Sequence, residues 1–283
     1  MSLGKKIISH SKRIYKTWSD SNGGTYGAAV AYYTVFSLAP LLVIAISITS
    51  LFVSKIAAQA SIISQFKSTF GANGALLIEN LIQSKPSTQT SITLVVIGFI
   101  VLIIGANGVF AQMQKALDAI FKDLPEKTTR GLPAKIWHKV LSFGLVLSVG
   151  FLLLVSLALS ALITAISGYL SNIFPNVDIF YHIIESVISL AITSFFFGLI
   201  YKVLPSKRLD WKPALIGGVI VSILFTFSKY LLGTYLGYSL LFTTYGAAST
   251  LVLLILWAYY MSQVFFFGAI ILRLYLMPNL NSS

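Results

Sequence analysis

The sequence predicts an all-α membrane protein: a polytopic bundle of six transmembrane helices, with interfacial amphipathic helices beside it. Hydrophobic residues make up 57% of the 283 residues and charged residues only 10%, whereas soluble domains contain about 25% charged residues. The apolar residues also gather in six long runs, each with at least the roughly 20 residues that a helix needs to cross the hydrocarbon core. These runs lie at 27–54, 91–115, 139–166, 180–203, 213–236 and 247–274.

The lipid environment determines the secondary structure of these runs. Because the bilayer core offers no water to backbone groups, a spanning segment must be a helix or belong to a closed barrel. Barrel strands are about 10 residues long and alternate apolar with polar residues. The stretch at 92–104 is apolar without such alternation, so the six runs are predicted to be helices.

Two segments outside the runs are predicted to form amphipathic helices at the membrane surface. The loop at 55–90 carries two short apolar stripes at helical spacing. The segment at 1–26 is polar and basic, and its apolar residues also recur at helical spacing. They are Leu3, Ile7, Ile14, Tyr15 and Trp18.

The predicted organisation follows from these segments. A cytoplasmic amphipathic segment at 1–26 precedes a six-helix transmembrane domain at 27–276. The loop at 55–90 lies on the outer side of this domain. A short cytoplasmic tail at 277–283 follows it.

The orientation is predicted from the charges of the loops. The formal net charge is +12, from 20 lysines and arginines against 8 carboxylates. Sixteen of the 20 basic residues fall in 1–26, 115–139, 202–212 and at Arg273, whereas three fall in the loop at 55–90. Because loops rich in lysine and arginine stay in the cytoplasm, both termini are predicted to be cytoplasmic. Anionic lipid headgroups account for the excess charge, so membrane lipids are expected partners and nucleic acid is not.

Cofactor and catalytic chemistry find little support in the sequence. The chain has no cysteine, and its three histidines lie far apart, so no thiolate or compact histidine metal motif is present. Asp123 and Glu126 lie close together but are flanked by lysines. This pattern is typical of a solvated loop rather than of a two-metal nuclease site, which needs several convergent ligands. We expect no cofactor, no metal and no enzymatic activity.

Glu185 and Lys229 are ionisable residues inside the fourth and fifth runs. Such residues are costly in lipid and usually face the bundle interior or water. From the predicted boundaries both lie roughly 8–10 Å below the outer surface, and His182 lies one turn from Glu185. The three residues are candidates for binding in an outward-facing cavity. The alternative is that Lys229 extends its amine to the surface while the other two lie among the headgroups.

A second polar set is predicted in the middle and inner half of the membrane. Tyr33, Asn107 and Gln263 are its candidates for lining a substrate path, with their side chains facing the bundle. The alternative is that these groups only hydrogen-bond the helices together. Pro40 removes a backbone hydrogen bond from the first run and is therefore a candidate hinge; the alternative is a static kink.

Four stretches of the sequence carry a family resemblance. They are AAVAYYTVFSLAPLLV at 28–43, GANGVFAQMQKALDAIF at 105–121, YKVLPSKRLDW at 201–211, and YGAASTLVLLILW from residue 245. Over nearly the whole chain the sequence resembles the YihY/BrkB family of bacterial inner-membrane proteins. The resemblance implies six membrane helices with cytoplasmic termini, in the inner membrane of a bacterium.

The resemblance also frames the predicted function. It implies a transport or envelope-lipid role, so the leading hypothesis is a membrane transporter or a lipid-handling protein with a small amphiphilic substrate. The alternative is a non-transporting envelope scaffold. A ribonuclease is the weakest hypothesis and rests on an old family label, ribonuclease BN. Many relatives have glutamate where this sequence has Thr226 and Ile270, which argues against proton coupling through those carboxylates.

Overall fold

A computed structural model describes residues 3–49, 92–127, 177–238 and 249–277, together with scattered residues between 54 and 82. Side chains at 177–185 lie outside this description. The described residues form six long helices: α1 (Leu3–Asp20), α2 (Gly23–Thr49), α3 (Ile92–Ile120), α4 (Val177–Val203), α5 (Trp211–Tyr238) and α6 (Ser249–Leu276).

The helices agree with five of the six predicted runs, and α1 is the helix predicted within 1–26. The sixth run, at 139–166, and the tail after residue 277 lie outside the described residues. Four stretches of the described helices are long and apolar enough to cross a membrane. They are Ile97–Ile120, Ser186–Val203, Trp211–Leu232 and Leu251–Leu276. The total of six transmembrane helices therefore stays a prediction.

The predicted start of the first run was four residues late, because α2 begins at Gly23 and not at residue 27. A two-residue turn at Ser21 and Asn22 separates it from α1. Asn22 adopts a left-handed backbone with φ of 53°, a conformation that asparagine tolerates better than most residues. The segment at 1–26 therefore contains a complete helix and the first turn of the next one.

Helix α6 lies between two antiparallel helix pairs. One pair is α2 with α3, and the other is α4 with α5. The most extensive contacts of α6 are with α2 on one side and with α5 on the other. Among the described helices, α6 therefore joins the two pairs.

The largest hydrophobic core lies at one end of this bundle. It brings together the end of α3, the end of α4, the start of α5 and the second half of α6, and the α1 residues Ile14 and Trp18 pack against it. We call this end the basic end, because α1, the loops at 121–127 and 204–210 and the last turn of α6 meet there with their lysines and arginines. A cation-rich surface thus covers the largest hydrophobic core of the described residues.

A second, smaller core lies towards the other end of α2. Leu42 and Ile78 are buried in it, and further apolar residues pack around them: Leu38, Ile62, Ile63, Ile82 and Leu254. The described residues of the loop at 55–90 are mostly helical. Its apolar stripes therefore cover part of α2 and α6.

Glycines set the close approach of α4 and α5. A Cβ atom on Gly218 would lie 2.6 Å from the Gly198 backbone nitrogen and closer still to the Ser194 carbonyl oxygen. Backbone atoms cannot move aside as a flexible side chain can. Small residues at such positions allow membrane helices to pack backbone to backbone.

Substitution of Gly218 tests this contact. Gly218→Ala is expected to lower the free energy of unfolding by about 1–3 kcal/mol, because the added methyl group overpacks the interface. Gly98→Ala is the matched control, since a Cβ atom there meets nothing within 4 Å. Thermal unfolding of the two variants in detergent measures the difference. Equal midpoints would show that α4 and α5 are not held this closely.

Candidate functional site

Lys229 carries its ammonium group within a candidate membrane-spanning stretch of α5. Its side chain is half-buried, and Nζ lies 5.7 Å from the ring centroid of Phe225 on the same helix. An aromatic face attracts a cation and partly replaces the water that the cation has lost. The sequence indicated Lys229 as a candidate binding residue but did not identify the Phe225 ring as its neighbour.

Aromatic side chains lead from Lys229 towards the basic end. Phe225 packs on Phe197 with ring centroids 5.6 Å apart, and Phe197 packs on Phe265 at 5.9 Å. Phe265 in turn lies 4.9 Å from the ring of Tyr201. The Tyr201 hydroxyl, which is fully buried, donates a hydrogen bond of 2.7 Å to the Phe265 carbonyl oxygen. A continuous aromatic column thus joins α5, α4 and α6.

The register of α4 against α5 bears on the predicted pair of charges. Gly218 lies against Ser194, and Gly198 lies against Ala214. In this antiparallel pair, the residue numbers of two facing positions therefore sum to about 412. Continuing that register brings Lys229 to the level of residue 183. Glu185 lies two positions away, about 3 Å along the helix axis. This register would put the backbone of Glu185 at nearly the same depth as that of Lys229. The side chains of Glu185 and His182 lie outside the described residues.

Gln263 forms a link between three helices. It is buried, and its Oε1 accepts a hydrogen bond of 2.7 Å from the indole nitrogen of Trp18. Its Nε2 donates to the Gly23 carbonyl oxygen at 3.1 Å. Both ends of the amide are therefore bonded to protein, which favours the structural alternative for this residue. Sequence reasoning placed Gln263 near the middle of the membrane but could not identify Trp18, 245 residues away, as its partner.

The other two members of the inner set do not join Gln263. Tyr33 packs against α3, where a Cβ atom on Gly108 would clash with the tyrosine ring. Asn107 is exposed among the described residues. The run at 139–166 lies outside them, so the orientation of Asn107 towards the bundle stays a prediction. Gly105, two residues earlier in α3, contacts α2. Residues two positions apart in a helix point in nearly opposite directions.

Helix α2 continues through Pro40, and the hinge stays a prediction.

Two loops at the basic end are bound to each other by backbone hydrogen bonds. We call the loops at 121–127 and 204–210 the clasp. The Lys127 amide donates to the Ser206 carbonyl oxygen at 2.9 Å, and the Arg208 amide donates to the Pro125 carbonyl oxygen at 2.7 Å. These bonds flank an antiparallel bridge between Glu126 and Lys207. The clasp thus ties the end of α3 to the connection between α4 and α5.

The ammonium group of Lys127 holds the end of α4 within the clasp. Nζ donates hydrogen bonds to the carbonyl oxygens of Lys202, Val203 and Pro205 at 3.2, 3.1 and 2.6 Å. A helix end leaves such carbonyls without partners and attracts positive charge. Burial lowers the pKa of Lys127, and the nearby charge of Lys202 lowers it further, whereas Asp118 opposes both effects. No sequence signal identified this cap, because it forms between residues 75 or more positions apart.

Three carboxylates of the basic end have protein partners. Asp118 accepts a hydrogen bond of 2.6 Å from the Ser206 amide. Asp123 pairs with Arg273, and Glu126 pairs with Lys207 at 3.2 Å. Within the described ranges no group of three or more potential metal ligands comes together. Asp123 and Glu126 are both exposed, as in the solvated loop that the sequence predicted, and each forms one of these ion pairs.

Comparison with known proteins supports the membrane assignment. A family model described as virulence factor BrkB matches residues 14–275. A UPF0761 membrane protein of Pseudomonas aeruginosa is 28% identical over 262 residues, which cover 90% of this chain and 59% of that protein. A UPF0761 membrane protein of Rhodospirillum centenum is 24% identical over 266 residues, covering 93% of this chain and 56% of that protein.

These relatives are longer than the chain described here. The chain spans about three fifths of the length of the Pseudomonas and Rhodospirillum proteins. A shorter relative, the UPF0761 membrane protein of Pseudoalteromonas translucida, is 24% identical over 85% of this chain and 77% of its own length. No solved structure matches the chain.

Proposed function

Since the chain belongs to the BrkB virulence factor family, whose relatives here are membrane proteins, we propose that it moves a lipid-like amphiphile between the two leaflets of the membrane. The observation that carries this proposal is Lys229, a cation half-buried on a membrane-spanning helix. A charge in that position is costly and usually marks a binding site or a pathway. An amphiphile with an anionic headgroup is the substrate class that complements it.

The arrangement of the helices supports a route for this substrate. The two helix pairs are joined mainly through α6, so a substrate can pass between them without separating the helices of either pair. The clasp closes this route at the basic end. Movement of the substrate to that side would then require the bonds between the two loops to open.

We further propose that the protein lies in a bacterial inner membrane with the basic end in the cytoplasm. The cations gathered at that end support this orientation. Lys122 is exposed there, and the chain has no native cysteine. In intact cells an impermeant maleimide should label Lys122→Cys only after the membrane is permeabilised. Labelling without permeabilisation would reverse the orientation.

Reconstitution in lipid vesicles tests the transport proposal. Vesicles with and without protein are prepared with a fluorescent phosphatidylglycerol in both leaflets, and dithionite then bleaches the outer leaflet. Loss of fluorescence beyond that of protein-free vesicles is expected, because labelled lipid from the inner leaflet becomes accessible. A labelled phosphatidylcholine measures the preference for an anionic headgroup. If neither lipid moves faster than in protein-free vesicles, lipid movement is refuted.

A non-transporting envelope scaffold is the second candidate. The buried amide of Gln263 favours it, because one of the predicted path-lining groups is fully used in holding helices together. Under this hypothesis Lys229 and Glu185 form only an internal link. We expect no enzymatic activity in either case, and the ion pairs of Asp123 and Glu126 support that expectation over a ribonuclease.

A further inference from the structure

The rotation of α1 about its own axis is fixed by its docking on the bundle. The Trp18 ring stacks on Phe267 of α6, with centroids 6.2 Å apart and planes 11° from parallel. The indole nitrogen is bonded to Gln263, and Ile14 packs against the same core one turn earlier. The apolar side of α1 is therefore covered by protein, at least over these two turns.

The opposite side of α1 is cationic. Helical geometry places Lys12 and Lys16, one turn apart, on the side away from Trp18. Both side chains are exposed, and neither forms an ion pair within the part of the chain that the structure describes. The one carboxylate of α1 is Asp20, at the last residue of the helix.

An aromatic residue lies beside these lysines. Tyr15 is 67% exposed and its ring centroid lies 5.9 Å from that of Trp18. Tyrosine is enriched where membrane meets water, because its ring prefers the headgroup region while its hydroxyl stays hydrated. Lys16 lies only seven residues before α2 begins, which keeps this surface close to the membrane.

Other cations of the basic end differ from this pair. Lys127 and Lys202 donate to backbone carbonyls, and Lys207 and Arg273 pair with carboxylates. Those four cations therefore have partners within the protein. Among the described residues, Lys12 and Lys16 have no carbonyl or carboxylate partner of this kind.

We propose that Lys12, Tyr15 and Lys16 form a binding surface for anionic phospholipid headgroups at the basic end. Lysines close to a membrane surface attract anionic lipids, and the tyrosine ring enters the headgroup layer beside them. Because Trp18 packs α1 against α6, Lys12 and Lys16 lie on the side of α1 that faces away from the bundle. The inference stands apart from the proposed function, because it holds whether or not the protein moves lipid.

The test compares two double variants of equal charge. Lys12→Gln with Lys16→Gln removes the proposed surface. Lys115→Gln with Lys122→Gln removes two other exposed lysines of the basic end. The full chain is purified in neutral detergent, and its thermal midpoint is measured with added phosphatidylglycerol or phosphatidylcholine.

Phosphatidylglycerol is expected to raise the midpoint of the native protein more than phosphatidylcholine does. The Lys12/Lys16 variant should lose at least half of that difference, and the Lys115/Lys122 variant should keep most of it. Equal losses would show that the general charge of the basic end attracts the lipid, and would overturn the proposal. So would a native protein that does not distinguish the two lipids. A variant could also shift the midpoint without any change in lipid binding. For that reason the phosphatidylglycerol retained by each protein is also measured by native mass spectrometry.

Discussion

A disulfide between Glu126→Cys and Lys207→Cys is expected to reduce lipid movement in reconstituted vesicles by at least tenfold. The two residues face each other in the clasp as an antiparallel bridge. The proposed route reaches the basic end only when this contact opens, so a covalent bond across it should hold the route closed. Reduction with dithiothreitol should restore movement in the same sample.

The geometry of the bridge suits a disulfide. The flanking bonds run from Lys127 to Ser206 and from Arg208 to Pro125, which makes Glu126 and Lys207 a non-hydrogen-bonded pair. In such pairs the Cα atoms are about 4.5 Å apart, within the range of about 4.4–6.8 Å that a disulfide spans. Since the chain has no native cysteine, no other thiol competes. The Glu126 side chain of the ion pair lost on substitution is 73% exposed, so solvent screens the pair and it contributes little stability.

Each single-cysteine variant serves as a control for the loss of one charge. If the oxidised double variant is fully cross-linked and still moves lipid at the native rate, the clasp is not a gate. If the reduced variant and the native protein both fail to move lipid, the transport proposal itself is refuted. The experiment therefore separates the gate from the function.

Glu185→Gln and Lys229→Met are each expected to lower the stability of the protein in detergent by about 3–5 kcal/mol, as removal of one partner strands the other charge. The register of α4 against α5 places both residues at similar depth. In the double variant neither charge remains, so it should recover part of the loss. The free energy of unfolding is measured for all four proteins, and the coupling is the departure from additivity.

The same four proteins distinguish a structural pair from a functional one. A functional pair predicts a double variant that is stable but moves no lipid. A scaffold predicts a double variant that is stable and otherwise unchanged. Additive losses would refute the pairing, and the extension of Lys229 to the membrane surface would then be the better account of this residue.

The sequence predicted the helices well, because membrane helices depend mainly on local composition. Five of the six apolar runs coincide with described helices, and the boundary error at Gly23 is four residues. No comparable local signal exists for the arrangement of the helices. Packing depends on small residues such as Gly218, whose importance is evident only once the facing helix is known.

The candidate sites show the same division. Depth along a helix follows from residue number, which is why the sequence could place Glu185 and Lys229 at a similar predicted level. Orientation about the helix axis depends on tertiary partners, and residue number alone does not give it. The bonding of Gln263 and the three-carbonyl cap of Lys127 join residues that are distant in sequence. No motif in one sequence indicates such pairs.

The position of α6 has a consequence for the order of assembly. Half of its membrane-spanning residues are buried, compared with 11% for those of α3. Helices inserted earlier in synthesis can pair as α2 with α3 and as α4 with α5, but the surface that joins these pairs belongs to a helix that follows them in the chain. Among the described helices, both pairs therefore enter the bilayer before the helix that joins them. The largest core includes residues of α6, so its packing has to wait for the insertion of α6.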